Sequence, residues 1–239
     1  MVKAGVFSVL KVIIYVFGVD TLATETSTDW LLAVAGFTII AASIVALRAD
    51  NLKRRLAYST VSQLSYVVLA AALLTPYSLA AAALHIAAHA LGKITLFFAA
   101  GAIYTAAHKT RVSELDGIGR RMPWTMAAFT IGALSMIGLP PAAGFVSKWY
   151  LLSGAMAAGQ WAIVIVLLAS TLLTAGYFMP IVYRAFFGVP LADGHEHGDA
   201  HGEAPLPMVA ALAVTAAGTL ALFFFPDVPL ALARQMLGG

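Results

Sequence analysis

The sequence predicts an all-α polytopic membrane helix bundle of about seven crossings, one of them a broken helix at Pro140-Pro141. Three observations predict it. Of 239 residues, 61% are hydrophobic and only 10% charged, with a mean hydropathy of +0.90. Soluble domains run nearer half apolar and a quarter charged. Apolar stretches long enough to span, at roughly 20 residues each, are separated by short polar loops. Loops rich in Lys and Arg alternate with loops that lack them. A soluble enzyme, a disordered chain and a fibrous chain are thereby excluded. Cysteine is absent, which removes disulfides, thiolate metal sites and cysteine nucleophiles. The formal charge of +3 says little about nucleic acid, because in a membrane protein the placement of charge matters more.

Spans are expected at 2–17, 30–47, 55–74, 78–106, 124–154, 161–187 and 206–226, in a single transmembrane domain over 1–239. The opening residues do not read as a signal peptide, since Lys11 follows and no small-residue cleavage site precedes the acidic stretch. The loop 18–29 holds Asp20, Glu25 and Asp29 and no base. The loop 48–55 holds Arg48, Lys53, Arg54 and Arg55, and the loop 107–123 holds Lys109, Arg111, Arg120 and Arg121. The positive-inside rule puts 48–55, 107–123 and 184–205 in the cytoplasm and the C-terminus outside. This topology requires 124–154 to cross once, and it is too long for one straight helix. Gly138-Leu139-Pro140-Pro141 followed by Gly144 supplies the break, because two prolines remove two donors and strand carbonyls one turn earlier. Bare backbone groups at membrane depth must be buried in protein or line a wet cavity, and broken helices mark ion sites in transporters. A plain proline kink is the alternative; Lys148 just beyond favours function.

A lysine at the bilayer centre costs roughly 3 kcal/mol, so polar groups inside spans need a reason. His85, His89 and Lys93 stand at i, i+4 and i+8, one helix face over roughly 12 Å. Imidazole accepts a proton on one nitrogen while releasing one from the other, and a desolvated lysine can lose its proton. The stripe reads as a proton relay, with interhelical hydrogen bonding or snorkelling as the alternatives. Lys148 reads as a titrating gate; its alternative is an interfacial lysine beside Trp149. Lys11 snorkels. Lys3 is a cytoplasmic anchor if the helix starts at Met1, or lies near mid-membrane if residues precede it. Ser59, Ser62, Gln63 and Tyr66 share a face that could hold water or act as glue worth about 0.6 kcal/mol per bond, glue being favoured. Lys53 stands at the cytoplasmic mouth, where a simple anchor is its alternative. None of the eleven carboxylates falls inside a span, so the interior suits a Lys/His proton path better than a complete cation site. In the loop 189–205, the stretch 193–201 carries His195, His197 and His201 among three acids. Its spacing is not a standard metal site, and no metal is expected.

These residues resemble the antiporter-like membrane subunits shared by Mrp-type cation/proton antiporters, respiratory complex I and membrane-bound hydrogenases. The matching stretches are MVKAGVF at 1–7, DNLKRRLAYSTVSQLSY at 50–66, HIAAHALGKITLFFAAGA at 85–102, LDGIGRRMP at 115–123 and LSMIGLPPAAGFVSKW at 134–149. Their order covers nearly the whole chain up to about Gly188. Within the family, LGKITLFFAAGA and GFVSKWYL look most like the D subunit of the Mrp antiporter. The resemblance implies that Lys3 matches the buried lysine of the family's eighth helix. It places His85, His89 and Lys93 in the relay of the eleventh, and Lys148 at the gate of the broken twelfth, where some relatives carry glutamate. It further implies a proton-translocating subunit of a sodium or potassium/proton antiporter, using a Lys/His relay in the membrane plane. Its setting would be the inner (plasma) membrane, with other membrane subunits as partners and no cofactor. A proton-pumping subunit of an NADH:quinone oxidoreductase or membrane hydrogenase is the alternative, and a non-transporting half is a third. Only the eighth to fourteenth helices are matched, so a fragment or split-gene product is expected.

Overall fold

The computed structural model describes residues 2–24, 28–189 and 202–236. Among these, α-helices run α1 Val2–Lys11, α2 Val19–Thr24, α3 Asp29–Arg48, α4 Leu52–Ala72, α5 Pro76–Ala107, α6 Ile118–Arg121, α7 Pro123–Ile137, α8 Ala143–Ala157, α9 Trp161–Phe187, α10 Leu206–Phe224 and α11 Asp227–Met236. A π-helical stretch, Val12–Phe17, continues α1, and a 3₁₀ turn, Val112–Glu114, precedes α6. The described residues form no strand, only an isolated bridge between Asn51 and Arg111.

The expected spans fall on these helices, with instructive differences. Four helices are long and apolar enough to cross by themselves: α3, α5, α9 and α10. The first expected span divides into α1 and the π-helical stretch. The third, α4, starts at Leu52, so Lys53, Arg54 and Arg55 occupy its first turn instead of a loop. Arg55 is buried, donating from Nε to the Ala49 carbonyl at 2.8 Å and from Nη1 to the Tyr177 carbonyl at 2.9 Å. A charge expected to mark topology thus braces α3, α4 and α9. The fifth span breaks as expected, between α7 and α8. The helix α11 was not expected, because it is too short and too polar to register as a span.

Local chemistry sets the ends. Thr75 and Ser78 form a reciprocal capping box at the start of α5, with Pro76 in its first turn, where a missing N–H costs nothing. The Glu203 carboxylate accepts from the backbone N–H groups of Trp124 and Thr125 and from the Thr125 hydroxyl, satisfying free donors at the start of α7. Gly138 ends α7 at φ +89°, a left-handed conformation that a side chain disfavours. The Pro140-Pro141 bond is cis. Gly144 lets α8 pack directly on α7: a Cβ there would lie 1.7 Å from the Ser135 carbonyl oxygen.

The helix α5 packs against α4, α7, α8 and α10, and α9 packs against α3 and α7. Two apolar cores result. One includes Leu96, Ile103, Phe129 and Phe178; the other includes Leu10, Ile39, Leu69, Leu79 and Leu151. On α5 the first core begins at Leu96 and the second ends at Ala82. The residues between them carry the polar stripe.

Candidate functional site

His85, His89 and Lys93 are all buried, on the side of α5 turned into the bundle. The Lys93 ammonium donates to the Ser59 hydroxyl on α4 and lies 5.7 Å from the centre of the Phe178 ring. One turn back is His89, whose ring centre is 6.2 Å from that of His85. His85 stacks on Tyr66 at 5.5 Å, and its Nδ1 is 3.0 Å from the Ser147 hydroxyl on α8. Next in sequence, Lys148 reaches back across the break and donates to the carbonyls of Met136 and Ile137, each at 2.9 Å. Its ammonium stands 5.0 Å from the centre of the Tyr66 ring. The sequence pattern thus becomes a sequence of neighbours: Ser59, Lys93, His89, His85, Ser147, with Lys148 joined through Tyr66.

The energetics account for these lysines. Burying one at mid-membrane costs roughly 2.5–3.5 kcal/mol. A hydrogen bond from a charged donor returns about 1.5–3 kcal/mol, so the two carbonyls alone can hold Lys148 in place. Those carbonyls are free to accept because the helix ends at Gly138 and the prolines cannot donate. Lys93 has one hydroxyl and an aromatic face worth about 0.5–2 kcal/mol. Several buried atoms here have no hydrogen-bond partner among the described residues: both nitrogens of His89, Nε2 of His85, both amide atoms of Gln63, the Tyr66 hydroxyl and the Ser170 hydroxyl. Buried polar atoms left unpaired cost about 1–3 kcal/mol each, and ordered water is the usual remedy. A cleft of about 340 Å³, lined by Lys3, Thr60, Leu64, His89, Lys93 and Phe97 among others, has room for it.

The transmembrane domain of the NADH:quinone oxidoreductase/Mrp antiporter family matches residues 1–174. The chain belongs to this family. It is 40% identical over 210 residues to NADH-quinone oxidoreductase subunit N of Desulforudis audaxviator, covering 87% of this chain and 40% of that one. It is 31% identical over 215 residues to the D subunit of the Na(+)/H(+) antiporter of Alkalihalophilus pseudofirmus, covering 90% and 43%. The chain therefore spans less than half the length of these curated relatives. Its fold matches a chain of the Mrp complex from Dietzia sp. DQ12-45-1b with a TM-score of 0.85, at 24% identity, over 98% of this chain and 50% of that one. It is a membrane subunit of the antiporter/complex I family.

Within this family member, the candidate residues divide. Ser59, Lys93, His89 and His85 are buried next to one another, and the half-buried Lys3 lines a cleft with His89 and Lys93. Pro140 and Pro141 shape the break that receives Lys148. Ser62 acts as glue: it meets the Ser43 hydroxyl at 2.8 Å and donates to the Ile39 carbonyl at 3.1 Å, joining α4 to α3. Gln63 is buried beside the Tyr177 hydroxyl. Lys53 stands apart, exposed at the start of α4 over the Tyr104 ring, an anchor's position. The histidines at 195, 197 and 201 lie outside the described residues. No group of three His, Asp or Glu that could hold a metal occurs among the described ones. Sequence reading missed Ser147, which links His85 to α8, and the role of Tyr66 between His85 and Lys148. The one signal was adjacency: Ser147 precedes Lys148, and Tyr66 closes the polar face of α4.

Proposed function

We propose that this subunit moves protons for a monovalent cation/proton antiporter, using Lys93, His89, His85 and Lys148, with Lys3 at the open side of the cleft. The carrying observation is the continuity of the buried line, from the Lys93–Ser59 hydrogen bond at one end to the His85–Ser147 contact at the other. Each imidazole can take a proton on one nitrogen and give one up from the other, and water in the Lys3 cleft can bridge nitrogens that no side chain reaches. The three α5 residues follow one another along the helix axis, so any in-plane step is the one from α5 to α8. Other membrane subunits would supply the remaining path, in a cell membrane whose cytoplasmic side faces the basic loops.

A redox-driven proton pump is the second reading. The 40% identity to a subunit named NADH-quinone oxidoreductase subunit N, against 31% to the antiporter's D subunit, favours it. Both readings use the same residues. Lys93→Met should lower proton translocation by the native assembly in vesicles by about a hundredfold, the scale of a positioned proton-transfer group. Full activity in that variant would refute the relay. Bound flavin or iron–sulfur centres in the mildly solubilised assembly would select the redox-driven reading; cation-dependent proton exchange without them would select the antiporter.

A further inference from the structure

We infer that the cleft beside Lys3 and Lys93 continues into the apolar pocket between α5 and α10, and that the two together bind the anion of a long-chain fatty acid, its carboxylate on the lysines and its tail in the pocket. The binding rests on these two cavities. The inhibition that follows from it rests on the proton-moving reading.

The head site is cationic and unbalanced. Lys3, His89 and Lys93 line the cleft of about 340 Å³, and no carboxylate lines it among the described residues. Lys93 is 3% exposed and His89 0%. An ammonium carries three donors, of which the Ser59 hydroxyl takes one from Lys93. Both nitrogens of His89 are buried without a partner among the described residues. Water can take these hydrogen bonds, but it brings no charge. Two ammoniums facing one cleft favour an anion there, and most strongly away from bulk water.

The tail site is apolar and opens from the same floor. Phe97 and Phe98 line both cavities. Beyond them a pocket of about 300 Å³ extends past Gly101 to Pro207, Met208 and Ala211 on α10, with no polar side chain in its wall. Gly101 leaves it open: a Cβ there would meet nothing within 4 Å. From Lys93 to Gly101 the helix rises about 12 Å, a path for a hydrocarbon tail. An apolar pocket joined to a few convergent polar groups is the usual form of a small-molecule site.

Position selects the ligand. His89 and Lys93 stand near the middle of the 32-residue α5, a helix long and apolar enough to cross a bilayer. Phospholipid headgroups stay outside the hydrocarbon layer. A phospholipid tail would therefore fill the pocket and leave the cations bare. A small inorganic anion would meet the cations and leave the pocket bare. A single-chain carboxylic acid meets both: it crosses hydrocarbon as the neutral acid, gives its proton to water in the cleft, and is held as the anion by the ammoniums. Seated there, the carboxylate occupies the donors of Lys93 and His89 and takes them out of proton exchange.

The test is equilibrium binding of radiolabelled palmitate to the native assembly in phosphatidylcholine nanodiscs. The wild type should show one saturable site per chain. Acetate and methyl palmitate should not compete, since one lacks the tail and the other the charge. A palmitate carrying a diazirine at its tail end should label the peptides of Phe98 and Met208 on irradiation. Lys3→Gln and Gly101→Leu should each weaken binding by about tenfold or more, the first through lost charge and the second by filling the tail pocket. Leucine is a better helix former than glycine, so Gly101→Leu should fold and, without palmitate, move protons normally. In vesicles, palmitate should slow proton movement by the wild type and spare Gly101→Leu, whereas an effect on the bilayer would touch both alike. Competition by methyl palmitate equal to that of palmitate, labelling elsewhere, or unchanged binding in either variant would overturn the site. So would the absence of a saturable site because another chain fills the cleft. The site and the relay fail separately. If Lys93→Met stops proton movement and no palmitate binds saturably, the relay stands and the fatty-acid site falls. If palmitate binds, Gly101→Leu releases it, and proton movement is undisturbed by it, the site stands and the relay falls.

Discussion

Gly138 carries two demands at one position. Its φ of +89° lies in the left-handed region, and a Cβ would press on Cδ of Lys148. Gly159 has φ +67° with open space around it, so it isolates the backbone part of the cost. Gly138→Ala and Gly159→Ala should each lose about 1–2 kcal/mol of stability from the backbone. Only Gly138→Ala should also impair proton translocation, by moving the Lys148 ammonium off its carbonyls. Thermal unfolding and vesicle assays on the pair check this, and equal transport in the two would count against a working Lys148. Single residues were legible in the sequence where they broke a rule. His85, His89, Lys93 and Lys148 stand out because charge and imidazole are rare in spans. Ser147 and Ser170 were not legible, since a lone serine in an apolar helix is ordinary until its neighbour is known. Arg55 was misplaced because a base next to two others looks like loop charge, and only packing shows its side chain turning inward.

At the scale of elements, the loop between α5 and α6 is held by two acids, its own Glu114 and Asp50 from the turn between α3 and α4. Asp50 accepts from the Ser113 backbone N–H and hydroxyl. Glu114 accepts from the backbone N–H groups of Arg111 and Thr110, which hold its carboxyl below the usual glutamate range. A depressed carboxyl contributes stability that is full above the ordinary value, about 4.3, and is lost as pH falls through the depressed one. Glu114→Gln should therefore destabilise at neutral pH, at the low end of about 0.5–2 kcal/mol because the group is exposed. The gap from wild type should narrow as pH falls, as thermal midpoints from pH 7 down to pH 3 would show; a gap that does not change with pH would rule out the carboxylate as its cause. The broken helix was legible because Pro-Pro followed by glycine has few other outcomes. The division of the first span was not, because a π-helical stretch leaves no mark on hydropathy. The helix α11 shares that invisibility, being shorter than any window that finds spans.

The whole molecule presents a wide apolar surface. Its four tryptophans are all exposed: Trp30 at 65%, Trp124 at 71%, Trp149 at 56% and Trp161 at 65%. Trp30, Trp124 and Trp161 stand in the first turns of α3, α7 and α9, while Trp149 sits mid-way along α8. Tryptophan gathers where hydrocarbon meets headgroups. Single-tryptophan versions in lipids brominated near the headgroup should show strong quenching of Trp30, Trp124 and Trp161. Lipids brominated deep in the chain should quench Trp149 most, and a common depth for all four would contradict the arrangement. At this scale, composition alone announced a membrane bundle. What it could not announce was the seam on α5, where two apolar cores part around three polar residues.

That seam has an electrical meaning. The helix α5 is long and apolar enough to cross a bilayer, and the stripe from His85 to Lys93 runs along its axis for about 12 Å. Against a hydrocarbon thickness of about 30 Å, this is some two-fifths of the distance over which a membrane voltage falls. A proton carried along the stripe would gain or lose about 0.9 kcal/mol for each 100 mV. The seam is therefore a lever arm: the cell's own voltage, as well as its pH, would set how readily a proton stands at one end or the other.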